Sequence, residues 1–401
     1  MTGRGEQAAV AMDLARIEDE DARLQALVPE PDRAARIARE LAAAPAGPLR
    51  GVPVGVKDIM HVDGLATGAG SHLPPAELAG PEATAVSLLR AAGAVVLAKT
   101  VTTEFALFAP GPTRNPHNPA HSPGGSSSGS AAAVAASFCP LALGTQTCGS
   151  VIRPAAYCGV VGFKPSYGRI STGGVLLVAE SFDTLGLLAT DLAWVERAAP
   201  VLCSWWRPVG PLGPPVLARP DGPYLDQASA EGRAVLNGLD AAPVPFFADI
   251  ERINAAHHRL MRFELARHHA RWYPRLAECY HPSTVTAIRD GLTVDPVEAA
   301  RIRRGRLELR ARIHAAMDAA GIDLWVCPAA SGPAPPGLSS TGDPSLQLPW
   351  THAGLPAVTL PRATAAGGLP LGLQLVGRFM DDERLLAWAA QLVRRTAAVR
   401  A

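Results

Sequence analysis

Apolar residues recur every three to four positions along residues 11–44, among Ala, Arg and Glu, a period that predicts an amphipathic helical start. The period then shortens. "GVPVGVKDIM" (51–60) is a β-branched run punctuated by Gly and Pro, which predicts a strand leaving into a loop. "EATAVSLLRAAGAVVLAKT" (82–100) reads as a helix, a stop at Gly93 and a buried strand, an αβ unit that favours a sheet flanked by helices. Residues 130–137 are predicted helical, and "PLALGTQTCGS" is a strand running into a loop. Residues 205–223 are a proline-rich connection, and 250–320 are mostly helical. "GIDLWVCPAA" (321–330) predicts a buried strand, "SGPAPPGLSSTGDPSLQLP" a long loop, and "GLPAVTLP" with "GLPLGLQLVG" a closing strand pair before a final helix at 382–397. The expected fold is α/β: a single α/β/α domain over 1–401 with a central mixed β-sheet flanked by helices. Its core segments are 51–189 and 321–378, with the helical segment 250–320 packed on them, and its site lies at the carboxyl ends of the strands.

A net charge of +1 over 401 residues supplies no electrostatic footprint for nucleic acid or an anionic membrane. The longest apolar run, "AAAVAASFCPLALG", is interrupted by Ser137 and Pro140, short of the roughly 18 residues of a membrane span. The first residues lack the basic-then-apolar layout of a signal peptide. Six cysteines without a C-x-x-C pair read as reduced thiols, so a soluble cytoplasmic protein without disulfides is expected. Of 37 Lys plus Arg, only Lys57, Lys99 and Lys164 are lysine. A lysine retained in so arginine-rich a chain can do what arginine cannot, which is release its proton. The arginines of "EAARIRRGRLELRARIHAAM" (298–317) read as a solvated helix face.

Several chemistries are set aside. There is no H-E-x-x-H and no paired-cysteine zinc spacing, and no glycine-rich phosphate loop. His257 and His258 would sit about 16 Å along one helix from His268 and His269, too far to share an ion. Neither metal nor organic cofactor is expected. "GSSSG" (125–129) satisfies G-x-S-x-G with Ser127 central and His352 as a late histidine. It follows a proline-rich loop, however, where that motif requires a strand.

Three other places belong together: "GVPVGVKD", "SPGGSSSGSAAA" and "GTQTCGSVIRPAAYCGVVGFKPSYG". In these the sequence resembles the amidase signature family of serine hydrolases, and in "GSVIRP" its malonamidase-type members. "SFDTLGLLA" (181–189), "TGDPSLQLPWTHAGLPAVTLP" (341–361) and "GLPLGLQLVG" extend the resemblance. It implies a Ser–cisSer–Lys triad made of Lys57, Ser126 and Ser150. A serine hydroxyl is a weak nucleophile until a base takes its proton. Burial among Val54, Val56 and Ile59 would make Lys57 such a base, with Asp58 turned away from it. Ser126 would bridge Lys57 to Ser150, and backbone N–H groups of Thr147, Cys148, Gly149 and Ser150 would face the oxyanion. The helix after the glycine–serine turn would hold that turn rigid.

The expected activity is hydrolysis of a small carboxylic amide through a Ser150 acyl-enzyme. An ester, carbamate or urea hydrolase of the family is an alternative, as is the amide-generating subunit of a tRNA-dependent amidotransferase, which would need partner subunits. A homodimer is compatible with the sequence. Arg153, Gly125 and Ser127 are the candidate substrate contacts; Arg153 suits a substrate carboxylate or carbonyl, or equally a structural carbonyl. Gln146 stands where many members have Asp. Cys148 either lines the acyl pocket or is the nucleophile itself, although no histidine lies near it in sequence. A substrate-covering segment around 200–245 is expected to be short.

Overall fold

The computed structural model describes residues 13–400, with side chains described through 395. Ten strands among the described residues form one sheet: β1 (Pro53–Lys57), β2 (Val95–Thr100), β3 (Leu141–Gln146), β4 (Val161–Lys164), β5 (Thr184–Ala189), β6 (Leu217–Asp221), β7 (Ala241–Pro245), β8 (Leu324–Pro328), β9 (Ala357–Thr364) and β10 (Pro370–Val376). Their spatial order is β2-β1-β3-β5-β4-β9-β10-β8-β6-β7. β1 lies parallel to β2 and β3, the pairs from β3 to β8 are antiparallel, and β6 runs parallel to β7 and β8. The expected mixed sheet flanked by helices is therefore present.

Alternation sorts the strand residues between two layers. Val96, Leu141, Leu143 and Leu187 join one apolar cluster with helices Thr84–Ala91, Leu192–Leu202 and Asp382–Arg400. Leu97, Ala142 and Leu188 join another with helices Leu14–Leu24, Arg33–Ala43 and Ser128–Ala135. A third cluster, including Ile59, Phe105, Phe182 and Met261, covers the carboxyl end of β1 with helices Ile250–His268 and Pro282–Leu292.

Three expectations need correction. The helical start is two helices, because Pro29 and Pro31 interrupt it and Asp21 Oδ1 turns the chain by accepting from Ala26 and Leu27 N–H at 2.7 and 3.2 Å; residues 11–12 lie outside the described residues. The proline-rich connection contains β6, and residues 200–245 build an edge of the sheet. Pro220, Pro243 and Pro245 disguise the two strands, yet proline is tolerated where ladder donors are not needed. The arginines of helix Pro296–Ala320 are not simply solvated. Arg306 and Arg310 donate to the carbonyls of His352 and Ala353 at 3.1 and 2.7 Å, satisfying the end of helix Leu348–Ala353.

The helix Ser128–Ala135 crosses the chain unusually closely. A Cβ on Gly129 would meet Ala26 O at 2.1 Å and Val101 N at 2.4 Å. Glycine thus lets the serine-rich turn press against the strand end, which a flexible linker would not do. Gly129→Ala is expected to lower unfolding free energy by about 1–3 kcal/mol or more. Gly305, inside an open helix face with nothing within 4 Å, provides the contrast. Its replacement by Ala should add about 0.5–1 kcal/mol. Urea denaturation of the two variants checks both signs.

Candidate active site

β1 and β3 are parallel neighbours, so Lys57 and Gln146 end their strands on the same side of the sheet. Lys57 has no exposed surface. Its Nζ lies 2.7 Å from Ser126 Oγ and 2.8 Å from Thr145 Oγ1. The peptide between Gly125 and Ser126 is cis. Asp58 does turn away, pairing with Lys99 at 2.7 Å.

Burial holds the Lys57 ammonium well below the usual lysine range; the nearby Asp183 carboxylate opposes this and Arg153 adds to it. A neutral amine has both N–H donors and a lone pair, so it can donate to Thr145 and accept from Ser126. Asp183 is itself pushed up to about 6 by burial, although Thr147 Oγ1 and the N–H groups of Val178 and Ala179 all donate to it. Asp183 is not among the residues that the sequence motifs single out. Its signal was available: it is the one charge in the apolar stretch "SFDTLGLLA".

The segment after β3 is organised by Gln146. Its Oε1 accepts from Val151 and Ile152 N–H at 2.9 and 3.0 Å, and its Nε2 donates to Thr351 Oγ1 at 2.9 Å. Thr351 in turn donates to Cys148 O at 2.7 Å. A carboxylate could accept the two N–H bonds but could not make the donation. Residues 147–150 are thereby fixed at both ends, with Ser150 buried.

The three candidate substrate contacts are placed differently. Ser127 is fully buried, and its hydroxyl meets the Thr145 N–H and carbonyl, each at 3.3 Å. It secures the turn to β3. The Gly125 carbonyl accepts from Arg153 Nη2 at 2.8 Å. Arg153 also gives Nε to Thr341 O at 2.8 Å, so most of its fork braces the turn. Its Nη1, however, is buried without a partner, as is Gln347 Oε1. Both face Gly149, where a Cβ would meet them at 2.9 and 2.5 Å.

Cys148 keeps partial exposure, but burial pushes its thiol up to about 12. No histidine stands near it along the chain. The fold supplies one: His257 Nε2 lies 3.6 Å from Cys148 Sγ. Burial, with His352 beside it, holds His257 well below the usual histidine range. With the thiol pushed up and the imidazole pushed down, transfer of the proton from one to the other is disfavoured, which makes them a poor nucleophilic pair. A cavity of ≈ 350 Å³ lined by Tyr167, Ile170, Thr172, Leu177 and Glu180 reaches Asp183. Among the described residues, no helix is long and apolar enough to cross a membrane.

The sequence profile of the family "Amidase" matches residues 8–231 and 286–386. The chain is 33% identical to a glutamyl-tRNA(Gln) amidotransferase subunit of Aromatoleum aromaticum, over 93% of this chain and 90% of that protein. Similarity to the same subunit in Chlamydia felis is higher, 37%, but spans only 46% of this chain and 40% of that one. A solved structure described as an amidase superposes with a TM-score of 0.85 at 32% identity, covering 95% of this chain and 94% of the other.

The two functions of the Gln146 amide are separable. Gln146→Leu strands two buried N–H groups and should cost about 1–3 kcal/mol for each. Gln146→Glu keeps both acceptances and loses only the donation to Thr351, so it should cost less. Denaturation midpoints should rank wild type above Glu and Glu above Leu; the reverse order of the two variants would show that burying the Glu carboxylate costs more than stranding the two N–H groups.

Proposed function

The chain belongs to the amidase signature family, a hydrolase acting on amide C–N bonds, and from that premise we propose that it cleaves a small carboxylic amide through a Ser150 acyl-enzyme. The observation that carries this reading is the buried Lys57 amine within hydrogen-bonding distance of Ser126. In the proposed sequence Lys57 draws a proton through Ser126 from Ser150, whose oxygen attacks the carbonyl. The N–H groups of residues 147–150 receive the negative charge that develops on the carbonyl oxygen. The proton then returns through Ser126 to the leaving amine, and water releases the acid by the same route. The unpartnered Arg153 Nη1 and Gln347 Oε1 offer one donor and one acceptor beside Gly149, which suits a substrate with a second polar group close to the scissile bond. The small molecule is the partner in this reading, with no nucleic acid, no membrane and no cofactor, in the cytoplasm.

A second reading is supported by the 33% identity to an amidotransferase component over nearly the whole chain: the protein generates an amide within a multi-subunit complex. The two separate in one assay. The purified chain alone, screened over small amides, esters and ureas, should release ammonia and carboxylate. Turnover that begins only when partner proteins are added would favour the second reading. In either case a fluorophosphonate probe should label Ser150, and Ser150→Ala should abolish labelling and turnover together; labelling of Ser127 or Cys148 would displace the assignment.

The base is tested by pH. Lys57 accepts a proton only when neutral, so acylation should rise with pH through its lowered pKa. The Asp183 charge raises that pKa, so Asp183→Asn should move the rising limb to lower pH. Lys57→Arg should lose about 10²–10⁴ in acylation rate, because guanidinium stays protonated. A limb that stays in place in Asp183→Asn, or an active Arg variant, would remove Lys57 from the role of base.

A further inference from the structure

We propose that Cys148, His257 and Met261 form a binding site for a soft monovalent metal ion of the Cu(I) or Ag(I) type, beside the nucleophile segment. Cys148 Sγ lies 3.6 Å from His257 Nε2 and 3.6 Å from Met261 Sδ. His257 and Met261 stand four residues apart on helix Ile250–His268, so they share one of its faces. With metal–sulfur bonds of about 2.3 Å and metal–nitrogen bonds of about 2.0 Å, trigonal ligands stand about 3.7–4.0 Å apart. The two separations from Cys148 Sγ need only a small adjustment.

The donor types are selective. One thiol, one thioether and one imidazole form a soft set, which favours Cu(I) and its analogue Ag(I) over hard oxygen-seeking ions. Among the described residues no group of three His, Cys, Asp or Glu converges to hold a metal, and here the third donor is a methionine. The imidazole is also held in place. Phe182 stacks on it with ring centroids 3.9 Å apart, and its Nδ1 faces His352 Nδ1 at 3.4 Å. With the proton on Nδ1, the Nε2 lone pair faces the sulfur, the kind of outer support that orients metal-binding histidines. Cys139, Cys158, Cys203 and Cys327 are buried, while Cys148 and Cys279 are partly exposed. On binding, the thiol S–H bond breaks, a sulfur–metal bond forms and the proton leaves to solvent. No electron is transferred.

Binding can be read without turnover, so its failure is distinct from a failure of the proposed activity. The probe is Ag(I) added to the purified full chain, measured by native mass spectrometry and by competition with a soluble thiol. One ion should be retained per chain, and the unfolding midpoint should rise with it. Cys148→Ser should lose that ion and that rise, Met261→Leu should weaken retention about tenfold, and Cys279→Ser should change neither. X-ray absorption should report one nitrogen and two sulfurs. Retention by Cys148→Ser, or wild-type affinity in Met261→Leu with a one-sulfur spectrum, would overturn the three-ligand site. Thermal unfolding of each metal-free variant shows whether the fold is intact, and Met261→Leu, a volume-conserving swap, keeps the test available if Cys148→Ser does not fold.

Discussion

A primary amine with no exposed surface is the constraint on which the site depends. Removing Lys57 from water disfavours its charged form, and among the described residues the hydroxyls of Ser126 and Thr145 stand within hydrogen-bonding distance of its nitrogen. The carboxylate that moderates this effect, Asp183, accepts hydrogen bonds from donors of its own. Asp58, adjacent in sequence, is engaged by Lys99. The surroundings thus favour a neutral amine while leaving its partners polar enough to exchange protons with it. Strand β1 aims the amine, and the turn before helix Ser128–Ala135 brings Ser126 to it.

The scarcity of lysine takes on meaning in this setting. All three lysines are buried. Lys99 bonds Asp58 and Thr67, and Lys164 donates to Pro165 O, with burial lowering it to about 7. Arginine does the bridging work, capping carbonyls at His352 and Ala353 and pairing with acids between helices. A planar fork suits such bridging, whereas a compact amine fits an enclosed space.

Most of the fold was legible because its strands are short apolar runs bounded by glycine and proline, as at β1, β2, β3, β8, β9 and β10. β6 and β7 escaped because proline inside a strand imitates a loop. At the site, the meeting of Lys57 with Ser126 could be read from separated motifs, and Asp58's orientation from simple electrostatics. What could not be read came from long-range contact. His257 meets Cys148 across 109 positions, and Thr351 meets Gln146 across 205; no local pattern encodes either. Arg153 was legible only as two equal roles. The fold assigns most of its fork to carbonyls and leaves one nitrogen beside Gly149.

The bond from Thr351 to the segment after β3 has a bearing on how the protein is made. Lys57, Ser126 and Ser150 all belong to the first half of the chain, but the hydroxyl that pins Cys148 O arrives much later in synthesis. β9 and β10, from the last fifth of the chain, lie in the middle of the sheet between β4 and β8. A nascent chain therefore carries Lys57, Ser126 and Ser150 long before it can close the sheet around them. Such late, non-local pairing slows folding and leaves strand edges open meanwhile. It also means that the segment carrying Ser150, the nucleophile proposed above, stays unbraced until Thr351 and the final strands have been made.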